Sequence, residues 1–237
     1  MKTETLEECK CRMKGHGLKI GKKVDGKWKQ KTKKEMLLEL SKMDGGSLRS
    51  DELKGLLNAS YDNSITEYGD FILDSDLSSK TSRVFVNPNT EQVVVAHQGT
   101  KGLTDWGNNL AYALGGTKLY KTTERYKEAK RVQDRASKKY GDENITTIGH
   151  SQGGLQAELL GQKGKEVITV NKATRPLSNK KGKKQYDISV KADLVSKLNP
   201  FQKKSEKDIN IQKKGFNPVK HHSYDILTKL KEDIGEL

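Results

Sequence analysis

No apolar run in this chain of 237 residues approaches the roughly 18 that a helix needs to cross a bilayer. Only 32% of the residues are apolar, so the core has to be narrow. A chain of this length still hides roughly 70% of its unfolded surface, enough for one compact domain with an appended arm. The opening Met1-Lys2-Thr3-Glu4-Thr5-Leu6-Glu7-Glu8 lacks the apolar stretch of a signal peptide. The expectation is a protein of the cytoplasm or of a virus particle, without a transmembrane segment and peripheral wherever it meets a membrane.

Cysteine is scarce as well. Cys9 and Cys11 are too few for a disulfide framework, lie outside the expected core, and fit a reducing compartment. His16 is nearby, yet no second Cys or His pair follows at ligand spacing, so neither a metal nor a cofactor is expected. Aromatic residues make up 6% of the chain and lysine outweighs arginine, which leaves little for base stacking or bidentate base reading. Nucleic acid is therefore a poor partner despite a formal charge of +14.

The charge is concentrated. Residues 1–34 carry 12 Lys/Arg against 4 Asp/Glu, a surplus of eight, and Lys180, Lys181, Lys183 and Lys184 form a second cluster. Residues 1–46 read as a basic arm followed by a helix, with a small hairpin around Val24-Asp25-Gly26-Lys27-Trp28. The remainder, 47–237, reads as the main domain. Ser50 is placed to cap a helix whose Leu53, Leu56 and Leu57 face inward. Ser82 to Asn87 and Glu91 to His97 read as a hairpin across Asn87-Pro88-Asn89-Thr90. Val93-Val94-Val95-Ala96 is apolar without a break, as a strand covered on both faces should be. Leu119 to Tyr140 reads as one long helix with Leu119, Tyr126, Ala129, Val132, Ala136 and Tyr140 on its buried stripe. Strands at Ile145 to Gly149, Glu166 to Val170 and Tyr186 to Lys191, with a helix at Gln152 to Gly161, complete an α/β alternation.

Chemistry enters at one strand–helix junction. Gly149-His150-Ser151-Gln152-Gly153-Gly154 fits G-x-S-x-G, the turn that lifts a nucleophilic serine clear of a sheet. The amide of Gln152, at the head of the next helix, is then a donor to a developing oxyanion. A second donor is expected after an earlier strand, at Thr100 in His97-Gln98-Gly99-Thr100, with the threonine hydroxyl as an additional donor. His97 itself reads as structural. A base must follow the serine, and only His221 and His222 do. Asp193, after the strand Ile188-Ser189-Val190-Lys191, is the best-placed acid. Asp187 sits at the wrong end of that strand, and Asp208 precedes a strand-like Ile209-Asn210-Ile211.

These stretches resemble the class 3 (fungal-type) lipases of the α/β-hydrolase superfamily. The resemblance rests on Val93 to Thr100, Asp105-Trp106-Gly107-Asn108-Asn109-Leu110, Gly149 to Gly154, Asp193-Leu194-Val195 and His222-Ser223. It implies an α/β-hydrolase fold, with a mostly parallel sheet covered by helices on both faces. It also implies a lipid-ester hydrolase with Ser151 as nucleophile, Asp193 as orienter, His222 as base (His221 the alternative), and Thr100 and Gln152 at the oxyanion hole. Leu103, Trp106 and Leu110, in the region that supplies a lid in that family, are either a lid or an ordinary packed helix. Two departures stand out: Gln98 where the family has Arg, and Gln152 where it has Leu. The expected partners are a lipid ester and the anionic face of a membrane. The competing reading is a non-catalytic scaffold of the same fold that binds membrane or nucleic acid through its arm.

Overall fold

A computed structural model describes residues 5–15, 19–24, 27–33, 36, 48–100, 117–173, 184–190 and 209–211. The first helix, α1, spans Leu6–Gly15, where a purely irregular arm was expected. Its start has a local cause: Glu8 accepts from the Thr5 amide at 2.5 Å, while Thr5 Oγ1 accepts from the Glu8 amide at 3.3 Å. Cys9 and Met13, one turn apart, are buried with Met36, so Cys9 belongs to a small core after all; Cys11 is exposed. The hairpin follows as β1 (Gly21–Val24) and β2 (Lys27–Gln30), an antiparallel pair.

The main sheet has eight strands in the order β10-β9-β8-β7-β6-β5-β4-β3. These are β3 (Glu67–Tyr68), β4 (Phe71–Leu73), β5 (Ser82–Val86), β6 (Val93–His97), β7 (Ile145–His150), β8 (Glu166–Val170), β9 (Gln185–Val190) and β10 (Ile209–Ile211). Strands β3 to β6 pair antiparallel. From β6 to β10 every pairing is parallel. The antiparallel margin is the expected hairpin and its neighbours. The parallel half carries the G-x-S-x-G motif, at the end of β7.

Alternation along β6 explains the layers. Val94 and Ala96 face α2 (Ser50–Tyr61) and share a core with its Leu53, Leu56 and Leu57, together with Phe85, Ile148 and Val170. Val93 and Val95 point the other way, to Val132 and Ala136 of α3 (Glu124–Tyr140). Two helices therefore cover opposite faces, and β6 is buried along its whole length. The N-cap of α2 is Arg49 rather than Ser50, and its amide donates to Glu52 Oε2 at 3.0 Å.

The long helix expected from Leu119 is broken. Thr117–Tyr120 is a single turn, and Thr123 caps α3 by accepting from the Tyr126 amide at 3.3 Å. Leu119 consequently lies outside the stripe and is half exposed, whereas Gln133 is buried within it. A fourth helix, α4 (Gln152–Leu160), packs Leu155 against Tyr120 and Tyr126. Among the described residues no helix is long and apolar enough to cross a membrane.

Candidate active site

Strand β7 ends at His150 and α4 begins at Gln152, so Ser151 has to reverse the chain alone. It does so at φ 54°, ψ −121°, a conformation that a side chain rarely adopts. Two glycines make room for the turn. A Cβ on Gly149 would lie 2.1 Å from the carbonyl oxygen of Gly153, and one on Gly153 would lie 2.0 Å from that of His97. The spacing of G-x-S-x-G is therefore a packing requirement of β6, β7 and α4 at their meeting point.

The turn is held from the next strand. Ser151 donates its amide to the Val170 carbonyl at 3.1 Å and accepts from the Ala173 amide at 2.9 Å. Between these two points, Asn171 is itself left-handed at φ 43° and donates its amide to Ile188 of β9. Lys172 is buried there and forms ion pairs with Glu158 of α4 and, at 2.6 Å, with Asp187 of β9. Gln185 Nε2 donates to both carboxylates, and Thr169 Oγ1 donates to Asp187 at 2.6 Å. Asp187 thus serves an ion network that ties α4, β8 and β9 together behind the serine.

On the other side, the segment Gln98-Gly99-Thr100 leaves β6 alongside the turn. The Gly99 amide donates to the Tyr61 hydroxyl at 2.9 Å, and the same hydroxyl meets His150 Nδ1 at 2.8 Å. Arg125 Nη2 donates to the carbonyls of Gln98 at 2.5 Å and Gly99 at 2.8 Å. Gln98 anchors the segment to α2 by donating Nε2 to the Ser60 carbonyl at 2.8 Å. Thr100 and Gln152 come together: Thr100 Oγ1 donates to Gln152 Oε1 at 3.1 Å. Its hydroxyl hydrogen is engaged there, so the donor that Thr100 can offer an oxyanion in this arrangement is its main-chain amide.

His97 lies deep in the sheet and holds a chain of polar groups. Its Nδ1 meets Ser82 Oγ at 2.8 Å and its Nε2 meets Gln133 Oε1 at 3.3 Å, while Gln133 donates to Thr147 Oγ1 at 3.1 Å. Complete burial pulls its pKa down to about 4, assisted by the Arg125 charge and opposed by the Gln133 contact. A histidine that stays neutral inside the core is structural, as its sequence position suggested.

Ser151, Gln152, Thr100, Gly149, His150 and Gly153 therefore converge. Asp193, His221 and His222 lie outside the described residues, as do Leu103, Trp106 and Leu110 and the Lys180–Lys184 cluster. Tyr61, Arg125 and Lys172 were not foreseen. Their partners lie 38–89, 26–27 and 14–15 residues away along the chain, respectively, where no short motif reaches.

A mixed sheet that delivers a serine through such a turn to the head of a helix defines an α/β-hydrolase. Residues 47–202 match the family described as phospholipase-like, Tle-like phospholipase domain, and the chain belongs to that family. Among solved structures it is similar to the Lip2 lipase of Yarrowia lipolytica, at 17% identity and a TM-score of 0.36, covering 54% of this chain and 62% of that one. The chain thus spans less than two thirds of that lipase. It is also similar to a triacylglycerol lipase of Penicillium expansum, at 16% identity and a TM-score of 0.44, covering 68% of this chain and 77% of that one. No curated protein matches the sequence.

Proposed function

We propose that the protein is a serine esterase that hydrolyses carboxylic esters of lipids. The observation that carries this reading is the conformation of Ser151: a strained, left-handed serine between a buried parallel strand and a helix N-terminus. Such strain persists only where surrounding contacts enforce it, and here Val170, Ala173, Gly149 and Gly153 do so. Membership of a phospholipase-like family supports a lipid ester as substrate. Residues 47–237 are the hydrolase domain in this reading, and residues 1–46 an appended basic arm.

In the proposed reaction Ser151 Oγ attacks the ester carbonyl while His222 takes its proton. Asp193 orients the imidazole, and the amides of Thr100 and Gln152 receive the negative charge of the tetrahedral intermediate. His222 then returns the proton to the leaving alcohol, and water, activated by the same histidine, releases the acid from the acyl-enzyme. The substrate class is a phospholipid cleaved in the manner of a phospholipase A, or a triacylglycerol.

The test is a panel of short esters, triacylglycerols and anionic phospholipids, run with Ser151→Ala beside the unaltered chain. Turnover and covalent labelling by a fluorophosphonate both vanish with Ser151→Ala if the reading holds. Ester hydrolysis that survives the substitution overturns it. His221→Ala and His222→Ala, made separately, assign the base. A chain that never reacts with the fluorophosphonate is the non-catalytic scaffold.

A further inference from the structure

The most exposed large apolar side chain among the described residues is Trp28, 60% accessible, and it sits on the basic hairpin far along the chain from the serine turn. All four residues of β2 are exposed. Residues 19–34 hold eight lysines, no arginine and a single acid, Asp25. The register sets Lys22 directly opposite Lys29 and Val24 opposite Lys27, so these four share one face. Trp28 belongs to the other face, where its ring lies against Gly21 and under Lys19 Nζ at 5.9 Å. The exposed strand β2 thus carries one large amphipathic ring on one face and two lysines, Lys27 and Lys29, on the other.

We infer that the β1–β2 hairpin docks the protein on an anionic bilayer along the outer edge of β2, where Trp28 sits at the headgroup level from one face and Lys27 and Lys29 reach acidic lipid headgroups from the other. Indole rings favour that depth because one edge is apolar and the other carries an N–H. Lysine stems lie along the apolar boundary while their ammonium groups reach the headgroups. Each such cation strengthens binding to an acidic membrane about fivefold. A nucleic-acid platform would need arginines to read bases or several aromatics to stack them, and the hairpin has neither. The inference deepens the lipid-ester reading, on which it rests for its purpose, by naming the surface on which the substrate is met.

Docking is measured on full-length Ser151→Ala protein, so that hydrolysis cannot alter the vesicles and failure of docking is read apart from failure of catalysis. The protein is expected to sediment with vesicles of phosphatidylcholine mixed with phosphatidylglycerol, and not with phosphatidylcholine alone. K27Q/K29Q weakens that binding about 25-fold, and raised salt releases the unaltered protein. Tryptophan emission shifts to the blue on the anionic vesicles. In Trp28→Phe, which retains Trp106, that shift is lost. With Ser151 restored, the hairpin variants turn over a water-soluble short ester at the parental rate, which shows that they fold. Three results overturn the inference: no binding to anionic vesicles, variants that bind like the parent, or tighter binding to duplex nucleic acid at the same salt with Trp28 emission unmoved.

Discussion

The hydroxyl of Tyr61 lies 2.8 Å from Nδ1 of His150, the residue immediately before Ser151. The same hydroxyl accepts the Gly99 amide at 2.9 Å. One oxygen thereby couples the serine turn to the strand that leads to Thr100. Tyr61→Phe leaves a buried amide without its acceptor, at about 1–3 kcal/mol. We expect a folded enzyme with kcat lowered about tenfold and KM little changed, checked by steady-state kinetics on a soluble ester beside a thermal melt.

In the proposed mechanism Gln152 serves the oxyanion through its main-chain amide, so its side chain should be replaceable. Gln152→Leu releases the Thr100 hydroxyl from its present acceptor while keeping the helix-head amide. Retention of at least about a tenth of the parental kcat/KM is expected, against a loss of about 100-fold or more for a missing oxyanion donor. Kinetics on short and long acyl esters check this.

Strain at Ser151 has a thermodynamic signature. Glycine adopts φ 54°, ψ −121° without penalty, and alanine does not. Ser151→Gly and Ser151→Ala should both be inactive, with the glycine variant more stable than the alanine variant by about 1 kcal/mol. Urea unfolding of the pair measures the difference.

Acid stability should bear the mark of His97. Its folded pKa, about 4, is below the unfolded value, so between these limits the unfolded chain binds a proton that the native chain refuses. This contribution is fully present above about pH 6.5 and is lost as pH falls toward 4, at about 1.4 kcal/mol per pH unit, roughly 3 kcal/mol in all. His97→Gln should flatten the fall in this window, as followed by chemical denaturation at stepped pH.

Lys172 neutralises two buried carboxylates at once. Lys172→Met removes the cation that Glu158 and Asp187 share, and should cost about 3–5 kcal/mol. Adding Glu158→Gln and Asp187→Asn removes the uncompensated charge and should recover most of that loss. Urea unfolding of the single and triple variants decides it.

Much of this architecture was legible because local pattern and tertiary role agree. Val93 to Ala96 is apolar throughout, since β6 is covered on both faces. The serine motif was legible because its glycines answer a clash within a few residues of themselves. The break before α3 was hidden by Leu119 and Tyr126, two turns apart on a helical stripe, although Thr123 carries the capping signal that ends the ambiguity. Helix α1 was missed because its buried stripe is only Cys9 and Met13, completed by Met36 from outside the helix. Here too a signal existed, in the reciprocal bonds of Thr5 and Glu8. Tyr61, Arg125 and Lys172 act on partners from other elements, and nothing in the residues beside them announces it.

Along the main sheet, among the described residues, each strand lies beside its immediate predecessor in the chain. A sheet of this order grows by accretion at one margin, and no later strand has to be threaded between two earlier ones. Synthesis from the ribosome can proceed in the same order as assembly. The serine leaves the ribosome with β7, but the carbonyl and amide that hold its turn come from Val170 and Ala173, just behind it. A nascent chain therefore carries Ser151 in an unset turn until β8 and the residues just after it have followed.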